Sequence, residues 1–460
     1  MVAVMTASKR FEPAARNPKY ASGYALVVGL GASGLAAARY LAQRGEPVLV
    51  IDSRREPPGL SALKREYPDL PVELETLDSE WLASASRVIL SPGLSVDLPL
   101  VADAAARGIE IASELEMFAQ AADAPVLAVT GSNGKSTVTS LTAALLKAQG
   151  FNAPAGGNLG PPALELLNDR ADAYVVEVSS FQLETTRSLR PLAAALLNIS
   201  PDHIDRHGSL ERYAALKGSL LADAEHAIVN WDDPLVRELA PRREETIPFS
   251  VDEPLRYGWS IVVQRGERWL ARDLQPLVER SVLGLTGKTG EANALAALAL
   301  ADCLGGALEP ALAALPAFQG LPHRLAFVCE RQGVSYVDDS KATNVGATVA
   351  ALAGNSLPTV LIAGGRSKGA DFSSLANAVD GRVRAAVLIG EAQAQLEQVL
   401  NGRTRTVRAA TMQAAVEAAA TIAKPGDRVL LSPACASQDM FLDYKDRGAS
   451  FAAAARGLPE

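Results

Sequence analysis

The stretch VLAVTGSNGKST, residues 126–137, decides how the chain is read. An apolar run of strand character ends in glycines, a lysine and two hydroxyl residues, and TVTSLTAALLKAQG (137–150) continues with helical character. In such a turn the main-chain N–H groups point inward, and the helix N-terminus adds its positive dipole. Lys135 supplies a point charge to phosphates, and Ser136 or Thr137 can ligate Mg²⁺. Strand, loop, Gly-Lys-Ser-Thr and helix in that order identify a nucleoside triphosphate site. The spacing Gly131-x-x-Gly134-Lys135-Ser136 is two residues shorter than the common G-x-x-x-x-G-K-[ST] pattern. The competing reading, a glycine turn beside an unrelated lysine, does not account for that order.

Outward from this stretch, strand-length runs of Val, Ile, Leu and Ala alternate with alanine-rich helical stretches from Tyr24 onward. That is the pattern of βαβ units around parallel sheets, so the class is α/β. ALVVGL (25–30), PVLVID (47–52) and SRVILSP (86–92) form a first unit, with AAARYLAQRG (36–45) as the helix between the first two. APVLAVTG (124–131), DAYVVEVS (172–179) and LAAALLNIS (192–200) open a second. FQGLPHR (318–324) has the punctuation of a linker, after which SYVDDS, TVLIAGG, AAVLIG and DRVLLSP repeat the strand rhythm. The expected domains are residues 1–121, 122–320 and 321–460. Residues 257–275, YGWSIVVQRGERWLARDLQ, read as antiparallel hairpins.

At 460 residues the chain has room for three domains of roughly 150 residues each. Its formal charge of 44 − 52 = −8 argues against nucleic acid or an anionic membrane as main partner. No apolar run approaches the ~18 residues that span a bilayer. Residues 1–20 lack a signal peptide's apolar core and are expected to form a disordered leader. Cys303, Cys329 and Cys435 are odd in number and far apart, which fits neither a disulfide framework nor a zinc ribbon. They read as small core residues of a protein in a reducing cytoplasm.

Three further features carry chemistry. Gly29-Leu30-Gly31-Ala32-Ser33-Gly34 lies between a strand and a helix, and Asp52 closes the next strand. This is a dinucleotide fingerprint, but the same geometry serves a UDP-linked substrate, or glycines used only for packing. Arg54 adds a cation for a phosphate. Glu177 ends the strand YVVEVSS, where nucleotide sites place a carboxylate facing Mg²⁺. Asp202, His203 and Asp205 follow the next strand, so His203 is a candidate to touch metal or phosphate, against a structural role. His207 and His226 read as surface residues.

With these pieces in place, the sequence resembles the Mur ligase superfamily of peptidoglycan synthesis, most closely its D-glutamate-adding members. The resemblance runs from about residue 25 to about residue 451. It rests on VTGSNGKSTVT (129–139), GGNLGPPAL (156–164), EVSSFQLETT (177–186), PDHIDRH (201–207), GLPHR (320–324), DDSKATNVGAT (338–348) and LLSPACASQDMF (430–441). It implies a Rossmann-like N-terminal domain for the UDP end of the substrate, a central P-loop ATPase domain, and a Rossmann-like C-terminal domain that closes over the site. It also implies an ATP-dependent amide ligase: the carboxylate of UDP-N-acetylmuramoyl-L-alanine becomes an acyl phosphate, and D-glutamate displaces phosphate. The implied cofactors are ATP and two Mg²⁺ ions, and the implied protein is a cytoplasmic monomer.

Residue by residue, the resemblance places Gly131, Ser132, Asn133, Gly134, Lys135, Ser136, Thr137, Arg324 and Asp339 at ATP. It places Ala32, Ser33, Asp52, Ser53 and Arg54 at the uridine diphosphate, and Asn158, Ser179, Gln182 and His203 toward the muramoyl-alanine portion. Ser136, Glu177, His203 and Lys217 would serve Mg²⁺, with Lys217 carbamylated. An ammonium beside Mg²⁺ is repelled, whereas a carbamate is an anionic oxygen ligand. Without the resemblance, Lys217 reads as an exposed helix lysine. Lys135, His203, Lys217 and Asp339 are the implied catalytic residues, and Lys341, Thr343, Lys368, Ser437 and Tyr444 the D-glutamate residues. Tyr444 stands where the family has Phe. A second departure is the run Gly287-Lys288-Thr289-Gly290, where the family has Gly-x-His-Asn near the nucleotide.

Three rivals differ in what they leave out. Another ADP-forming superfamily ligase, such as a folylpolyglutamate synthase, does not need the Gly29–Asp52 unit. An NAD(P)-dependent dehydrogenase leaves the phosphate loop unused, and an ATP-driven binding protein would hydrolyse ATP without stimulation by D-glutamate.

Overall fold

The computed structural model describes residues 23–168, 170–354 and 357–459; the expected leader, residues 1–20, lies outside them. The described residues form a mixed α/β protein with three sheets.

The first sheet contains β1 (Tyr24–Val28), β2 (Val48–Asp52), β3 (Val72–Leu74), β4 (Ala85–Leu90) and β5 (Glu110–Ala112), in the order β3-β2-β1-β4-β5. All its pairs are parallel, with Val27 beside both Val50 and Ile89. Every residue of β1 and β2 is buried, as expected of strands covered on both faces. Helix α1 (Ala32–Gln43) starts at the glycine run. Leu26, Val28, Leu49, Ile51, Val88 and Trp81 form part of the core on one face. The sequence reading found β1, β2 and β4 but not β3 or β5, whose three residues are too few for a periodic signal.

The second sheet contains β6 (Val126–Thr130), β7 (Ala155–Gly157), β8 (Tyr174–Glu177), β9 (Ala193–Leu196), β10 (His226–Asn230), β11 (Thr246–Ser250), β12 (Trp259–Gln264), β13 (Glu267–Arg272) and β14 (Gln275–Glu279). Their order is β14-β13-β12-β11-β10-β9-β6-β8-β7. β12, β13 and β14 pair antiparallel, so the hairpin expectation for 257–275 holds. Helices α2 (Lys135–Ala148), α3 (Leu210–Asp223) and α4 (Gly287–Asp302) belong to this part of the chain. From Gly290 to Ala301, α4 is buried almost throughout, which its alanines allow because they pack without losing side-chain entropy.

The third sheet contains β15 (Ala326–Arg331), β16 (Val334–Asp338), β17 (Thr359–Gly364), β18 (Val383–Ile389), β19 (Arg405–Arg408) and β20 (Arg428–Leu431), in the order β15-β16-β20-β17-β18-β19. Only β15 runs antiparallel to its neighbour. Leu361, Leu388 and Leu430 face one core, and Val360, Val387 and Val429 the other, the period of two that a sheet covered on both sides requires. Helices α5 (Val345–Ala353) and α6 (Tyr444–Arg456) complete it.

By contact density the described chain divides into two compact units. The first comprises residues 23–130, 150–194 and 222–225; the second comprises 131–149, 195–221 and 226–459. Two side-chain expectations are corrected. His207 is buried, its ring 5.4 Å from that of Tyr213, because the turn ending in Gly208 folds it inward. Of the cysteines, only Cys435 is buried; Cys303 and Cys329 are half-buried, and all three are free.

Candidate active site

In the second unit, the phosphate loop is built by two glycines in the left-handed region. Gly131 has φ +146°, and a Cβ there would sit 3.0 Å from that of Leu197; Gly134 has φ +87°, and a Cβ would meet Asn293 Oδ1 at 2.6 Å. Only glycine fits both. Asn198 clamps the loop: its main-chain carbonyl accepts from Ser132 N–H, its Oδ1 from Asn133 N–H, and its amide donates to Asn133 O, at 2.8–3.0 Å. Ser132 Oγ donates to Ser200 O and lies 3.1 Å from the Tyr213 hydroxyl.

Three cations reach this loop. Lys135 Nζ donates to Gly131 O at 2.8 Å and Ser132 O at 2.9 Å. Lys217 is not the exposed lysine expected from its helix: it is 1% exposed, its Nζ 3.0 Å from the same Gly131 carbonyl and 4.7 Å from the centre of the Tyr213 ring. Arg324 donates to Ser136 Oγ at 2.6 Å. His203 adopts φ +54° and places Nε2 3.6 Å from Asp202 Oδ1. Burial holds its pKa below the usual histidine value, assisted by Lys368 and Lys135 and opposed by Asp202 and Asp205. A neutral imidazole keeps the lone pair a metal ligand needs. Among the described residues no three His, Cys, Asp or Glu side chains form a metal-binding group.

A cavity of about 150 Å³ opens beside the loop. Asn133, Gly134, Thr137, Arg324, Asp339 and Lys341 line it together with Leu285, Thr289, Gly290, Asn293, Ala347 and Ala350. Asp339 accepts from Ser432 Oγ at 2.9 Å and Leu325 N–H at 3.2 Å, yet burial pushes its carboxyl up to about 7. Lys341 Nζ stands 4.1 Å over the Tyr444 ring, and Thr343 N–H donates to Lys341 O. Paired main-chain bonds between Arg366 and Ala436 join the loop of exposed Lys368 to that of buried Ser437. The sequence reading missed two residues here. Asn344 caps α5 and exchanges side-chain bonds with Asn133 while donating to Asp202. Asn293 reaches the cavity one turn beyond the Thr289-Gly290 departure. Asn344 lay inside a block already noted, and a polar residue in the alanine-rich α4 was the available signal for Asn293.

In the first unit, Asp52 is buried and fully engaged. Its Oδ2 accepts from Leu30 N–H at 2.7 Å, and Arg54 donates to it from the main chain and side chain at 2.7–2.9 Å. Burial pushes this carboxyl up, but those bonds outweigh it and its pKa lies below the usual value. Asp52 therefore shapes the glycine turn, where a Cβ on Gly34 would come within 1.9 Å of Gly29 O. Ala32, Ser53 and Arg54 are exposed and Ser33 half-buried, leaving this edge open to a ligand. Glu177 is 2% exposed: Oε1 accepts from Asn158 Nδ2 at 2.6 Å, while buried Oε2 has no hydrogen-bond partner among the described residues. An orphaned buried carboxylate oxygen is costly and suits a cation. Ser179 and Gln182 form a capping box that starts the short helix Ser180–Leu183.

Comparisons with known proteins cover nearly all of the described chain. Residues 24–113 match the model of the Mur ligase MurD-like N-terminal domain, 129–301 the Mur ligase middle domain, and 323–435 the Mur ligase glutamate ligase domain. The UDP-N-acetylmuramoylalanine–D-glutamate ligase of Marinobacter nauticus is 45% identical over 94% of this chain and 98% of its own. That of Pseudomonas aeruginosa is 44% identical over 95% and 98%. Among solved structures, UDP-N-acetylmuramate-alanine ligase from Thermotoga maritima superposes with a TM-score of 0.62 at 19% identity, covering 94% of this chain and 99% of that one. A pseudomurein peptide ligase type C from Methanothermus fervidus gives 0.60 at 19%, covering 89% and 96%. At that identity the two structures speak for the fold.

Proposed function

The chain belongs to the Mur ligase family, and from that premise we infer that it is an ADP-forming ligase joining D-glutamate to UDP-N-acetylmuramoyl-L-alanine in peptidoglycan synthesis. The observation that carries this reading is identity of 44–45% over at least 94% of the chain to ligases named for that reaction. A folylpolyglutamate synthase and a dehydrogenase are not favoured. The acid–amine condensation needs an activated carboxylate. An oxygen of the L-alanyl carboxylate attacks the γ-phosphorus of ATP, ADP leaves, and an acyl phosphate remains. The amine of D-glutamate adds to the carbonyl, and the tetrahedral intermediate expels phosphate as the nitrogen loses its proton.

Such a reaction depends on positioning and charge neutralisation. Gly131–Thr137 cradle the triphosphate, with Lys135 as the cation nearest the transferring group, and Arg324 and Asp339 complete the nucleotide site. Lys341, Thr343, Lys368, Ser437 and Tyr444 receive D-glutamate. Ala32, Ser33, Asp52, Ser53 and Arg54 receive the uridine diphosphate, with Asn158, Ser179, Gln182 and His203 toward the muramoyl-alanine portion. Glu177, Ser136, His203 and Lys217 are the residues proposed to serve Mg²⁺, and two such ions would neutralise triphosphate charge. The orphaned Glu177 oxygen and the neutral His203 fit that role. Two ammonium groups on one carbonyl, Lys135 and Lys217, repel each other, and carbamylation of Lys217 would replace that repulsion with attraction. The proposal includes domains at 1–121, 122–320 and 321–460, a cytoplasmic setting and a monomer. Among the described residues no helix is long and apolar enough to cross a membrane.

Phosphate release from Mg·ATP with UDP-N-acetylmuramoyl-L-alanine tests the reading, with D-glutamate, L-glutamate or no amino acid added. Release is expected only with D-glutamate, together with the amide product, and it should disappear in Lys135→Ala. Equal release with L-glutamate, or none with either, would refute it.

A further inference from the structure

The cavity beside the phosphate loop owes one wall to a short stretch of chain held from behind. Glu291, in the second turn of α4, is 3% exposed. Arg268, on β13, donates to both of its oxygens, from Nε at 3.2 Å and from Nη2 at 2.6 Å. Arg280, just after β14, donates from Nε at 3.1 Å. Arg268 also reaches Val251 O, so the fork is anchored on β13 and again just past the end of β11. None of these three side chains lines the cavity, yet Gly284, Leu285, Thr286, Thr289 and Gly290, all between Arg280 and Glu291, do. Within that segment Gly290 packs so closely on Leu285 that a Cβ would lie 2.9 Å from its main-chain carbon.

We propose that Glu291 is a positioning residue for the nucleotide: its pairs with Arg280 and Arg268 close residues 280–291 at their base and hold the cavity wall that this segment carries. The inference rests on the reading of the cavity as the ATP site. A segment tied at both ends has already lost the freedom that an open loop would lose on binding, so the closure is converted into ligand affinity. A bidentate guanidinium–carboxylate pair suits the task because its planar fork fixes direction as well as distance. The carboxylate also needs a paired cation, since a buried charge without partners would neutralise or move.

Glu291→Gln keeps the shape and removes the charge, and the arginines it releases can rehydrate because both are partly exposed. Titration calorimetry with Mg·adenylyl-imidodiphosphate should show affinity weaker by about tenfold, equivalent to about 1.4 kcal/mol. Affinity for UDP-N-acetylmuramoyl-L-alanine and for inorganic tripolyphosphate should stay within about twofold, since the wall and not the phosphate loop is loosened. Unchanged nucleotide affinity, or equal weakening of all three ligands, overturns the proposal. Arg280→Met, which leaves the Arg268 fork intact, should give a smaller loss in the same direction; no loss in that variant also overturns it, and it serves if Glu291→Gln does not fold. Ala350→Trp, which fills the cavity, separates the two ideas. Undiminished nucleotide binding there removes the reading of the cavity itself, whereas binding lost in Ala350→Trp but kept in Glu291→Gln removes only the clamp.

Discussion

Replacing Glu114 with Gln should make stability less dependent on pH, and the structure sets the size of the effect. Glu114 opens the helix Glu114–Ala121, capped by Ser113 Oγ, and its side chain is turned inward. Oε1 accepts from Leu164 N–H at 2.6 Å, while Oε2 is buried with no hydrogen-bond partner among the described residues. Burial pushes the carboxyl from 4.5 up to about 7; the Leu164 bond opposes this and Glu165 adds to it. At about 1.36 kcal/mol for each tenfold change in proton affinity, that displacement corresponds to an upper bound of about 3.4 kcal/mol. The native state holds the proton more tightly than the unfolded chain. The contribution to stability is therefore complete below about pH 4.5 and is lost as pH rises through about 7, with about 2.5 kcal/mol of the loss falling between pH 5 and 8. Gln can still accept from Leu164 and does not titrate. Urea unfolding of both proteins at pH 5, 6.5 and 8 should nearly coincide at pH 5 and separate at pH 8, with Glu114→Gln the more stable. A separation independent of pH, or a less stable variant at pH 8, would refute the reasoning.

Two further outcomes follow from the phosphate loop. Gly134→Ala meets Asn293 Oδ1 and a left-handed φ, which costs a residue with a Cβ about 1–2 kcal/mol; relief by rotating Asn293 should weaken ATP binding at least about fivefold, read by calorimetry, with thermal stability only modestly lowered. Lys217→Met keeps the buried stem but can form no carbamate, so phosphate release should fall by at least about a hundredfold while UDP-substrate binding persists; turnover near that of the parent protein would count against a functional anion at this position.

What could be read from the sequence depended on whether the physical constraint was local. The Gly131–Thr137 loop was legible because strand, glycines, lysine and helix are consecutive, and the positive φ of Gly131 and Gly134 is the conformation those glycines were there to permit. Glu177 stood out because a carboxylate ending an apolar strand demands an explanation, and its Oε2 is indeed buried with no hydrogen-bond partner among the described residues. The Gly29–Gly34 fingerprint was legible as a turn, but not in how Asp52 is used, because Arg54 and Leu30 compete for the same oxygens. Residues whose role depends on distant chain were illegible. Lys217 has the spacing of a surface lysine, yet tertiary packing brings it to a carbonyl 86 residues away. Asn344 meets Asn133 across 211 residues, and Glu291 meets arginines on two separate stretches of chain. A family resemblance supplied Lys217 without explaining it and passed over Glu291 altogether. A run of consecutive residues therefore reveals its turn geometry in the sequence, whereas side chains that meet across long stretches of chain become visible only when burial and partners are read from the fold.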